Sequence, residues 1–157
     1  MWTRSFIIST AANLADLDLV SQRLLRNPMD FANELRRFYG EEKANKFEQL
    51  LRQHFIIAAN LVNSAKAGNT NAANEARTKW YQNADEIATF LATINPYWSK
   101  TRWQKMLYDH LNMTENEATY RLTSQYAKDI AEYQKIEDEA LMMADYMAEG
   151  IMKQFKI

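Results

Sequence analysis

The chain has 157 residues, 47% of them hydrophobic and 25% charged, which suits one globular domain with a substantial core. Its 19 Lys and Arg against 20 Asp and Glu leave a net charge of −1, without the basic excess of a nucleic-acid-binding protein. The absence of cysteine excludes disulfides, thiolate metal sites and a cysteine nucleophile, and no apolar run approaches the ~20 residues that span a bilayer.

Three Gly and two Pro leave few turns, a frugality that suits long helices and not a multi-stranded sheet. The first segment runs from Trp2 to about Arg26. Phe6, Ile7, Thr10, Leu14 and Leu17 continue a helical stripe, and a kink between Asn13 and Leu17 would let Asp16 or Asp18 start a new helix. Asn27 and Pro28 read as an N-cap followed by Pro at the first helical position. The short helix 28–39 then closes at Gly40. No breaker interrupts 41–67, and Gly68 supplies the left-handed position that ends many helices. Thr70 or Asn71 caps a helix 71–94, which Asn95 and Pro96 stop. Ser99 caps a helix 99–112. Thr114 to Glu117 has the Thr-x-x-Glu form of a capping box, predicting a last helix over 115–155.

The apolar periods agree with this punctuation. Phe47, Leu50, Leu51, His54, Ala58, Leu61 and Ala65 recur at three- and four-residue steps, as do Ala76, Trp80, Ala84, Ile87, Leu91 and Ile94. Tyr126, Ile130, Tyr133, Ala140, Ala144, Met147 and Ile151 form the stripe expected to face the core in the last helix, with Glu137 inside it and Asp129 and Asp145 at its border. The expected fold is all-α. It is a single domain over 1–157, an up-down antiparallel bundle whose walls are the first helix, 41–67, 71–94 and 115–155. Helices 28–39 and 99–112 are the shorter pieces.

Only two histidines are present, and both lie on apolar stripes. His54 stands fourteen residues before Gly68, and His110 fourteen beyond Pro96. Counting back along 71–94 at ~1.5 Å per residue brings both to the level of Asn83. The candidate site is therefore His54, His110 and Asn83, with a carboxylate from Glu86 or Glu117. Two imidazoles and a carboxylate suit a transition metal, whereas the bland alternative is a pair of hydrogen-bonded core histidines. Leu51 and Leu107 stand where a di-metal bundle places the Glu of Glu-x-x-His. Met106 and Met113 flank His110, but no haem-attachment motif is present. Tyr97, Trp98 and Trp103 cluster at the 95–99 turn and are candidates either for contacting a partner or for plugging the bundle end.

No Gly-rich nucleotide loop, Walker motif or nucleophile elbow appears, so no nucleotide is expected. The leading expectation is a cytoplasmic, non-enzymatic bundle that binds a protein or small ligand, with a homo-oligomer formed through a helix face. The alternative is a metal- or cofactor-binding bundle centred on His54 and His110.

The runs Trp2–Ser9, Arg23–Pro28, Trp80–Ala88 and Asn95–Trp98, with Met143–Tyr146 and Gly150–Ile151, together resemble a family of small all-helical bacterial proteins common in spore-forming species. The resemblance implies an all-helical fold and brings no catalytic motif with it. Members sometimes carry the label acetylglutamate kinase, which implies a Gly-rich α/β enzyme, and this chain has neither the glycines nor the strands. The resemblance also implies an N-terminal extension with a His shortly before the position of Trp2, a further ligand that this chain would lack.

Overall fold

The computed structural model describes all of residues 1–157 as six α-helices without a strand. Helix α1 (Trp2–Ala12) stops at Asn13, which adopts the left-handed conformation (φ 52°) that Asn tolerates better than most residues. After a short turn α2 (Leu17–Leu24) leads into α3 (Asn27–Lys66), with Pro28 in the first turn. Gly40, at φ 77° and ψ 178°, breaks α3 into the two expected stretches. Gly68, at φ 71°, provides the left-handed turn after α3.

Helix α4 (Thr70–Ile94) is capped by Asn69, one residue earlier than expected: its side-chain oxygen accepts from the Ala72 N–H at 3.1 Å. Asn95 is extended, as the residue before a proline tends to be. Ser99 caps α5 (Lys100–Leu122) by accepting from the Arg102 N–H. The long last helix is α6 (Tyr126–Phe155).

The boundary between α5 and α6 corrects the capping-box expectation. Helix α5 runs straight through Thr114 to Glu117. The Thr114 hydroxyl turns back to donate to the His110 carbonyl at 2.8 Å, the bond a threonine makes inside a helix. The true turn is Thr123 to Gln125, where Ser124 takes a left-handed φ of 58°. Two consequences follow. The fourth wall of the bundle is the 23-residue α5 and not the first helix, and α1 with α2 forms a smaller layer beside it.

Cross-helix pairs set the direction of each neighbour. Helix α3 meets α4 through His54 and Asn83 and through Phe47 and Phe90. Arg77 with Glu115 and Asp85 with Tyr108 join α4 to α5, and Asn116 with Glu132 and His110 with Glu139 join α5 to α6. In each case one number rises as the other falls, so consecutive helices from α3 to α6 are antiparallel. The main core runs from Phe47, Leu50 and Leu61 through Trp80, Ala84, Ile87 and Leu91 to Trp103, Leu107 and Leu111. A smaller cluster of Phe6, Ile7, Val20, Leu24, Val62 and Ala118 fastens α1 and α2 to the bundle.

Helix α6 departs from the expected stripe. Its buried positions are Asp129, Glu132, Ile136, Glu139, Tyr146 and Gly150. Tyr126 and Ile130 of the predicted stripe face outward, Ile130 being 63% exposed. The helix turns three acids inward because α1 and α5 hold partners for them, among them Arg4, Asn116 and His110. No helix is long and apolar enough to cross a membrane.

Candidate functional site

The two histidines occupy different environments. His54 is buried between α3 and α4. The Trp80 indole N–H, which can only donate, reaches its Nε2 at 3.1 Å. The proton of the neutral ring must then sit on Nδ1, where it is donated to Asn83 Oδ1 at 2.8 Å. Asn83 completes the chain by donating Nδ2–H to the Leu50 carbonyl at 3.1 Å. Burial pushes the His54 pKa down to about 4; the Asn83 hydrogen bond opposes this, and His110 adds to it. Both ring nitrogens are thus spent inside the protein, and the ring is neutral at physiological pH.

This arrangement leaves His54 with no free ring nitrogen to offer the expected shared site. A metal bound to His54 would have to displace either Trp80 or Asn83, and both are buried. No group of three or more His, Asp or Glu side chains is placed to hold a metal ion. Glu86, the other proposed carboxylate, is exposed on α4. Trp98 and Trp103, offered as partner contacts, are 3% and 2% exposed and belong to the core. Trp98 donates its indole N–H to the Tyr146 carbonyl at 3.2 Å, and Trp103 packs against Tyr146. They plug the bundle end and leave only Tyr97 at the surface.

His110 and Glu117, two turns apart on α5, line the same cleft of about 260 Å³ between α1, α5 and α6. Arg4 and Tyr133 also line it, as does Glu137 from the stripe of α6. Arg4 reaches in from α1. Its guanidinium donates to Glu117 Oε1 and to Asp129 Oδ1, each at 2.6 Å, and lies 4.7 Å from the centre of the Tyr133 ring. Arg121 reaches Asp129 at 3.4 Å. Burial raises the Glu117 pKa, and the ion pair with Arg4 draws it back. A buried carboxylate is tolerable only when paired in this way.

His110 stands on the wall of the cleft with its side chain 25% exposed. Its Nδ1 lies 2.9 Å from Glu139 Oε2, and Glu139 is buried. A carboxylate can only accept, so Nδ1 carries a proton and a neutral ring keeps the lone pair of Nε2. That nitrogen makes no hydrogen bond within the chain, in contrast to both nitrogens of His54. A carboxylate that orients an imidazole in this way, leaving the far nitrogen free beside a cavity, prepares it to accept a proton, receive a hydrogen bond or coordinate an ion.

Sequence reasoning missed Arg4, Tyr133 and Glu139 as parts of a site. One signal was present: Asp129, Glu132, Ile136 and Glu139 recur at helical spacing, an acidic stripe that matches the buried face of α6. Comparison with protein-family models, with curated proteins and with solved structures finds no match.

Proposed function

We propose that the protein is a binding bundle for a small polar molecule and that its site is the cleft between α1, α5 and α6. The observation that carries this reading is His110, which lines the cavity with Arg4 and Glu117, its Nδ1 fixed by the buried Glu139 and its Nε2 without a hydrogen-bond partner in the chain. Ligand pockets characteristically combine a preformed concavity with a few fixed polar groups. The cleft offers an acceptor at His110, a carboxylate at Glu117 and a guanidinium whose charge Glu117 and Asp129 already balance. No catalytic role is assigned to these groups, and the reading is that of a non-enzymatic binding protein.

A metal ion is the second reading, favoured by one observation. A carboxylate behind the non-coordinating nitrogen is the usual outer-shell partner of a metal-bound histidine, and Glu139 has that position. Here the ligands would be His110 and Glu117, without His54. Screening of small amines, carboxylates, polyols and divalent metals by thermal shift tests both readings, with the variants His110→Ala and Glu117→Gln alongside. At least one class is expected to raise the melting temperature of the native chain, and both variants are expected to weaken it tenfold or more. Stabilisation that is unchanged in both variants would place the ligand elsewhere and refute the proposal.

A further inference from the structure

On the far side of the α1–α5 seam lies a second, chemically different cavity. It encloses about 100 Å³ and is partly shut off from solvent. Phe6, Phe55, Ala59, Val62, Trp80 and Ala118, from four different helices, are among its mainly hydrophobic lining. Thr3 and Thr114 line both this cavity and the polar cleft, so they form the partition between the two. Protein interiors are packed as densely as organic crystals, and voids of this size are uncommon.

The charged groups on its wall are already engaged, and so are the polar atoms of Trp80 and Thr114, which leaves the Thr3 and Thr119 hydroxyls as its free polar groups. Arg77 and Glu115 are the charged residues there, and they hold each other, Arg77 Nε lying 2.7 and 2.9 Å from the two Glu115 oxygens. Asn74 takes another Arg77 N–H. The Trp80 indole N–H is spent on His54, so the wall presents the carbon face of Trp80 and not its donor. The Thr114 hydroxyl is spent on the His110 carbonyl. A charged ligand would lose its water here and find no free counter-charge.

We infer that this cavity is a binding site for an uncharged apolar molecule about the size of one aromatic ring. The size follows from the volume: an apolar cavity of about 150 Å³ engineered into another protein stays dry and binds benzene. A cavity somewhat smaller that opens partly to solvent takes a single ring or a short alkyl group. The site is independent of the polar cleft, sharing only its two-threonine partition.

Benzene and indole are the probes, followed by NMR on the full chain through the Trp80 indole N–H and by thermal shift. Both probes are expected to move that resonance saturably and raise the melting temperature, with intermolecular NOEs to Phe55 and Val62. Benzoate and benzylammonium are expected to bind at least tenfold more weakly. Ala118→Leu and Ala59→Leu each fill the cavity and are expected to abolish binding; where one fails to fold, the other decides, and the NOEs on the native chain locate the probe in either case. The inference is overturned if the Trp80 resonance is unmoved by benzene at its aqueous solubility limit. It is equally overturned if the charged analogues bind as well, if the NOEs come from other residues, or if a folded filling variant binds as tightly as the native chain.

Discussion

Acidification should expose the role of His54 directly. In the folded chain burial holds its pKa at about 4, against an ordinary value of 6.5. The unfolded chain therefore takes up the proton first as pH falls. The stabilising contribution of the neutral ring is complete above pH 6.5, declines below it, and is exhausted near pH 4. At about 1.4 kcal/mol per pKa unit, the difference between 6.5 and about 4 amounts to about 3 kcal/mol. That is a large part of the ~5–15 kcal/mol that holds a typical domain together. Urea denaturation of the native chain and of His54→Gln, at steps from pH 7 to pH 4, isolates the effect, because the carboxylates titrate in both. The native chain is expected to lose about 3 kcal/mol more than the variant over that window. Parallel stability–pH curves would refute the assignment of His54 as a buried, neutral, fully bonded ring.

Two further substitutions test the packing around the site. Arg4→Met leaves Glu117 and Asp129 buried without their shared cation; about 2 kcal/mol or more of stability should be lost at pH 7. Part of it should return on acidification as the Glu117 carboxyl, whose pKa burial already raises, takes up a proton, measurable by the same urea titrations. Gly150→Ala would normally stabilise a helix by about 1 kcal/mol. Here a Cβ would fall 1.8 Å from the Trp98 indole nitrogen, so a loss of about 2 kcal/mol is expected instead, read as a lower thermal midpoint.

Much of the fold was legible because helix physics is local. Gly40, Gly68, Asn95 with Pro96, and Ser99 act at the breaks where they stand, and the stripe from Ala76 to Ile94 is the buried face of α4. The all-α class follows from these signals. The end of α5 was not legible, because Thr-x-x-Glu is a cap only when the preceding residue leaves the helix. In this chain the Thr114 hydroxyl bonds backwards and the Glu117 carboxylate goes to Arg4, 113 residues away. The real turn, around Ser124, has neither Gly nor Pro to mark it.

The face of α6 was misread for a related reason. Apolarity points outward at Ile130, Leu141 and Met142, while acids point inward at Asp129, Glu132 and Glu139. Only the tertiary positions of Arg4, Arg121 and His110 make that arrangement stable. Loop counting placed His54 level with Asn83, and the two are hydrogen-bonded. Counting gives height along a helix but not direction around it. His110 shares the height and turns instead towards α6 and Glu139.

The claim that the protein binds a small molecule through His110 is tested most directly by imidazole nitrogen NMR at neutral pH. The spectrum is recorded before and after addition of whichever amine, carboxylate, polyol or divalent metal stabilises the native chain most. His54 is expected to appear as a neutral ring protonated on Nδ1 and to stay unmoved. The Nε2 resonance of His110 is expected to shift on saturation, with its Nδ1 proton still held by Glu139. A response at His54, or an unperturbed His110 in the saturated protein, would contradict the placement of the site.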